Sequence, residues 1–220
     1  GERAKDWLEM LAIDPDIAVR RAALAATDAE SGSEKLWQVA VEALADPRLA
    51  PAAAAALGVG GEAALAELEE QAPALDARGV GRAARIYGEI GGGRAHALLL
   101  DKLAYPDKGV RANVLSALRH ADYRASADEA SRFRQLVADE VAAAAWAMAG
   151  IIDLGEGAGR VRRALGEELD TRRERVFLLL GLLYEPRYIR LVRDSFRSGS
   201  ADGKVYALEL IDVFLDQELR

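Results

Sequence analysis

Apolar positions along the chain recur at helical spacing, and no stretch alternates apolar and polar residues over the length of a strand. Leu36, Val39, Ala40, Ala43 and Leu44 mark one face of a helix, as do Leu98, Leu99 and Leu103. Breaks punctuate the pattern at Asp14-Pro15, Asp46-Pro47, Gly60-Gly61, Pro73, Gly91-Gly92-Gly93, Pro106-Asp107, Gly155 to Gly159, Glu185-Pro186 and Ser198-Gly199-Ser200. Gly and Pro end helices and permit tight returns, so the segments between these breaks read as helices. Ala, Leu, Glu and Arg fill most of them, all good helix formers.

The segments repeat. Val19-Arg20-Arg21-Ala22-Ala23-Leu24 aligns with Val80-Gly81-Arg82-Ala83-Ala84-Arg85 and with Val110-Arg111-Ala112-Asn113-Val114-Leu115. Ala50, Val141, Val176 and Val205 open comparable stretches, so anchors sit at 19, 50, 80, 110, 141, 176 and 205, with steps of 31, 30, 30, 31, 35 and 29. That period fits one helical hairpin per repeat, each anchor starting the second helix. The first helices are then predicted over Trp7–Ile13, Glu34–Leu44, Ala63–Gln71, Arg94–Tyr105, Ala127–Leu136, Arg160–Leu169 and Tyr188–Phe196. No single hairpin buries its apolar face alone, so stacking supplies the core.

Asp14-Pro15-Asp16-Ile17-Ala18-Val19-Arg20-Arg21-Ala22-Ala23-Leu24 resembles the HEAT-repeat pattern of an Asp-Pro turn, then Val-Arg, then Ala and Leu. Pro106-Asp107-Lys108-Gly109-Val110-Arg111 is a second copy, and Asp46-Pro47 keeps the turn without the Val-Arg. The resemblance spans nearly the whole chain, closely to about residue 120 and loosely beyond. It implies an all-α fold, a right-handed α-solenoid (α-α superhelix) of about seven helical hairpins, forming one domain over residues 1–220. It also implies a scaffold for protein partners, with the second helices lining a concave binding face. Arg173 to Pro186 and Gly203 to Asp216 are similar to HEAT regions fused to bacterial membrane domains of the ATP/ADP-translocase type. That narrower likeness implies a regulatory or assembly module of a nucleotide-transporter-like membrane protein. The module would be cytoplasmic, at the inner face of the bacterial membrane, with the transporter domain in the same chain. It carries over no transport or nucleotide-binding residue.

Composition trims the function classes. The 220 residues contain no Cys and two His, His96 and His120, which excludes disulfides, Cys nucleophiles, thiolate metal sites and a His-rich one. No cofactor is expected, and no catalytic set is found. A net charge of −7 argues against broad nucleic-acid binding, which needs a basic surface. The chain begins at Gly1 with no signal peptide and reads as a segment of a longer protein. Its longest apolar run, Val141 to Ile152, has 12 residues, short of the roughly 20 that span a bilayer. Enzymes of HEAT-like architecture, bilin lyases and DNA glycosylases, stand as the contrasting class.

Candidate chemistry is sparse. Residues 160–197 hold ten arginines against six carboxylates, a local excess of four in an acidic chain. Arg190, Arg193 and Arg197 share a helix face, and with Arg173 they form a candidate patch for an acidic partner or anionic lipid. The other reading of these arginines is a solvated face of intrahelical ion pairs. Trp7, Trp37 and Trp146, with Tyr87 and Tyr184, are either core residues or partner anchors. Trp146 stands among alanines and is the anchor expected to point into a groove. Asp14 and Asp107, beside Arg20 and Arg111, read as an Asp–Arg ladder between repeats. Gly58 to Gly61, Gly91 to Arg94 and Gly155 to Arg160 are glycine-rich helix starts but not Walker loops, and read as tight turns. Leu208, Ile211, Phe214 and Leu215 near the end suggest a missing neighbour or a homodimer through the C-terminal helix.

Overall fold

The computed structural model describes residues 2–154, 158–197, 200, 205–206 and 209. Those residues are predominantly helical and include no strand, so the protein is all-α. The chain divides into two compact units, 1–122 and 123–220.

The first unit contains α1 (Glu2–Ala12), α2 (Ile17–Ala25), α3 (Glu34–Ala43), α4 (Ala50–Gln71), α5 (Ala77–Ile90), α6 (Gly92–Asp101) and α7 (Lys108–His120). Its helix starts are set by short polar side chains. Asp16 accepts from the Ala18 N–H at 2.7 Å, Ser33 from Leu36 at 3.1 Å, and Asp76 from Gly79 at 2.7 Å. Asp107 accepts from the N–H groups of Gly109 and Val110. Each satisfies a donor that the first helical turn leaves without an intrahelical partner. Gly61, at φ 56° and ψ −132°, bends α4 in two, which is the break predicted between the helices anchored at Ala50 and Ala63.

Within this unit α1 packs on α2, α3 on α4 and α6 on α7, while α2, α4, α5 and α7 lean on one another in succession. Glycine lets α5 and α7 approach closely: a Cβ at Gly88 would stand 2.9 Å from the Ala117 carbonyl oxygen. Trp37 and Tyr87 are core residues, buried with Leu24, Leu44, Leu65, Leu99 and Leu118. A Cβ at Gly32 or Gly60 would collide with the Trp37 ring. Burial pushes the Tyr87 hydroxyl up to about 12, with Glu69 adding to the shift.

The expected Asp–Arg ladder takes a different form. Asp107 caps α7, Asp14 accepts from the Asp16 N–H at 2.8 Å in the turn before α2, and Arg111 turns to main-chain oxygens. Arg111 donates to the carbonyls of Tyr105 and Pro106 at 2.6 and 2.8 Å, and Arg82 to the carbonyl of Leu44. Carbonyls at helix ends need donors, and a guanidinium supplies several.

The second unit contains α8 (Ala127–Asp153), α9 (Gly159–Leu183) and α10 (Pro186–Arg197). Here the repeat reading is corrected. Val141 and Val176 do not begin second helices; each lies inside one continuous helix, of 27 and 25 residues respectively. The reason is local. Val137 to Glu140 and Asp170 to Arg175 contain neither Gly nor Pro, so nothing ends the helix at those points. The predicted hairpins Ala127–Leu136 with Val141, and Arg160–Leu169 with Val176, are thereby each one helix, and α8 and α9 pack as a single long antiparallel pair. The anchor at Val205 and the apolar Leu208, Ile211, Phe214 and Leu215 belong to a stretch that lies largely outside the described residues, as does the homodimer read from it.

Tyr184, in extended conformation, ends α9, and Pro186 opens α10 at the position where Pro is best tolerated. Ile189 and Val192 of α10 are buried, and the rings of Phe196 and Phe177 lie 6.2 Å apart. The start of α8 is fixed by the Glu129 carboxylate, which accepts from the Ser126 N–H, the Ser126 hydroxyl and the Tyr123 hydroxyl at 2.8, 2.6 and 2.7 Å. The Ser126 hydroxyl is the largest influence holding Glu129 below the usual carboxylate range, with Tyr123 next. Burial, then the bond to Glu129, pushes the Tyr123 hydroxyl up.

A carboxylate held low in the folded state stabilises it above its unfolded pKa, and that contribution is lost as pH falls through the folded value. Stability of the second unit is therefore expected to drop as pH falls below the ordinary glutamate range. Glu129→Gln is expected to flatten that drop in urea unfolding monitored by circular dichroism.

Candidate functional site

The feature that stands out is the outward face of α8. Heptad spacing places Ser131, Gln135, Ala138, Ala142, Ala145, Ala149 and Ile152 on one seam, at alternating steps of four and three. Arg132, Asp139, Trp146 and Asp153 flank it on one side, and Arg134, Val141 and Met148 on the other. Every one of these residues is exposed. The remaining positions from Phe133 to Ile151 are buried or half-buried. From Ala138 onward the exposed face is mainly apolar: Trp146 and Ile152 are each 73% exposed, Val141 and Met148 each 50%. Isolated exposed apolar residues are ordinary, but a contiguous group of them marks an interaction surface.

Packing explains why this face is outward. Phe133, Glu140 and Ala147, seven residues apart, point inward towards the rest of the unit. Glu140 accepts from Arg172 at 3.0 Å and from Arg175 at 3.2 Å, and Arg172 also pairs with Glu168 at 2.8 Å. Arg175 is only 3% exposed. A guanidinium at that depth needs a carboxylate, so the pair fixes the rotation of α8 on α9. Near the far end of the helix Gly150 faces Leu165, whose Cδ1 would lie 3.2 Å from an added Cβ.

The arginines singled out in the sequence are placed as follows. Arg173 pairs with Asp170 at 3.0 Å, one turn away on α9. Arg197 reaches from α10 to Glu174 on α9 at 2.9 Å. Arg193 is half-buried, its Nε 3.7 Å from Asp194, and Arg190 is exposed. The structure therefore ties Arg197 to the α9–α10 packing and Arg193 to Asp194 of its own helix, and leaves Arg190 exposed. Trp146 is as exposed as an anchor requires. Trp7 is also exposed, at 61%, on α1 with Met10 and Ile13. Sequence reasoning missed the Glu140 cluster and the heptad on α8. The signal for the heptad was present in the 4-3-4-3 spacing from Ala138 through Ala142, Ala145 and Ala149 to Ile152, masked by the reading of Val141 as a helix start.

Of the glycine-rich starts, Gly91 and Gly92 have positive φ and make the sharp entry into α6, as a tight turn requires. Gly155 to Gly157 lie outside the described residues. His120 sits in the last turn of α7, where a cation suits the helix dipole. No group of three or more His, Cys, Asp or Glu able to hold a metal occurs among the described residues. α8 is long and apolar enough, by length and composition, to cross a membrane. Its continuity gives it a length that the 12-residue apolar run alone does not suggest. No protein-family model and no curated protein matches the chain.

The inward pairing yields a test. Glu140→Ala takes the Glu140 carboxylate from the buried Arg175 and from Arg172 and is expected to cost about 3 kcal/mol in urea unfolding. Glu140→Gln, which keeps one acceptor, is expected to cost less.

Proposed function

We propose that this protein is a non-enzymatic helical scaffold of the HEAT-like α-solenoid type, and that it binds protein through the outer face of α8. The observation that carries the reading is the exposed apolar group centred on Trp146 and Ile152. Trp is the residue type most often found at the energetic centre of an interface, surrounded by smaller apolar contacts that exclude water. The capped short hairpins of the first unit and the succession α2, α4, α5, α7 support the solenoid part of the reading. The binding face is then one side of a single long helix, in place of a row of second helices. The likeness of Arg173 to Pro186 to transporter-linked repeats adds that the scaffold acts at the cytoplasmic face of a bacterial membrane protein.

The test is affinity capture from a detergent-solubilised bacterial lysate, with the wild-type chain and two variants as bait. Trp146→Asp combined with Ile152→Asp is expected to reduce specific captures by about thirtyfold, the loss of a central anchor. Arg190→Glu is expected to leave them unchanged. Captures that survive the α8 variant and vanish with Arg190→Glu would move the binding face to α10. A transporter-like membrane protein among the α8-dependent captures supports the membrane-linked role, and soluble partners alone contradict it.

A further inference from the structure

We propose that the partner of the α8 outer face is a second copy of this chain, the two α8 helices lying parallel and in register as a short two-stranded coiled coil. This rests on the reading of that face as a protein-binding surface and names its occupant. Three observations carry it. The first is the period. From Ala138 to Ile152 every seam position is apolar and exposed, at alternating steps of four and three. A hydrophobic repeat of seven on one helix face is matched by another helix carrying the same repeat. The second is the size of the seam residues. Ala138, Ala142, Ala145 and Ala149 let two helix axes come close, and Ile152 closes the row.

The third is the match between the two flanks. In a parallel pair, a residue on one flank meets the residue five positions later on the opposite flank of the other helix. That brings Arg134 to the second copy's Asp139, and Val141 to the second copy's Trp146. Two-fold symmetry makes each contact twice. Arg134 is exposed and has no ion pair among the described residues. The Asp139 carboxylate accepts from Gln135 Nε2 at 2.8 Å, which keeps it at the edge of the seam. An antiparallel pair instead sets Asp139 against Trp146, a carboxylate against an indole. A lipid occupant fits less well, because Arg132, Arg134, Asp139 and Asp153 lie along the same face and would have to be desolvated.

Sedimentation equilibrium of the whole chain, over a concentration series, tests this. The expected result is a monomer–dimer equilibrium that Ala145→Glu shifts to monomer with unchanged helicity by circular dichroism. Arg134→Glu is expected to weaken the dimer about tenfold. Combining it with Asp139→Arg, which restores opposite charges across the pair, is expected to recover the wild-type constant. A monomer at every concentration up to about 0.2 mM, weaker than any functional pairing, overturns the proposal. So does a dimer that ignores Ala145→Glu, and so does a failure of the reversed pair to recover. A monomer whose captures still depend on Trp146 leaves the protein-binding face standing with a different partner. A monomer with no such captures removes both readings. A monomer that binds phosphatidylglycerol–phosphatidylcholine vesicles through Trp146 and Ile152 overturns the proposal in favour of a lipid surface.

Discussion

The second unit turns on one ion pair. Arg175 is buried, and a buried guanidinium is tolerated only with a carboxylate beside it. Glu140 is that carboxylate, and it also holds Arg172. Once Glu140 points to α9, the helical period decides the rest of α8. Phe133 and Ala147 follow it inward, one heptad to either side, and are buried. Ala138, Ala142, Ala145, Ala149 and Ile152 are left outward. A rotation of α8 that hid Trp146 and Ile152 would carry Glu140 away from Arg175 and Arg172. The apolar face is therefore exposed as a consequence of how the inward side is satisfied.

The two units end their helices by different means. In the first, each turn is written in residues: Asp16, Asp76 and Asp107 cap helix starts, Gly61 and Gly91 supply positive φ, and arginines return to turn carbonyls. In the second, α8 and α9 run on because nothing interrupts them, and order comes from Glu129 at one end and Glu140 in the middle. Long helices expose long faces, and that is where a three-heptad surface finds room.

This contrast also explains what the sequence made legible. Most helix ends of the first unit are read within two or three residues from their Asp, Pro and Gly signals, although α1 starts five residues before Trp7 and α6 ends four before Tyr105, and the break at Gly61 is correctly placed. The all-α class follows from the same periodicity. Val141 and Val176 mislead because the repeat spacing supplies an anchor where the backbone has no reason to stop. Trp146 is legible as an exposed candidate, and Trp37 and Tyr87 resolve as core. Arg173 and Arg193 pair with Asp170 and Asp194 on their own helices, whereas the fate of Arg197 depends on Glu174 of the neighbouring helix, and that is a matter of packing. The Glu140 cluster is illegible for the same reason: its members lie 32 and 35 residues apart in the chain.

The chain has no cysteine, so a single thiol can be placed at will. The most direct measurement is oxidative crosslinking of Ala145→Cys, on the seam of α8, beside Ala143→Cys, which faces inward. A disulfide needs Cβ atoms about 4 Å apart, a distance that two seam positions reach only across an in-register pair. The account predicts a covalent dimer from Ala145→Cys and none from Ala143→Cys. Crosslinking at neither position, or at Ala143→Cys alone, would contradict it.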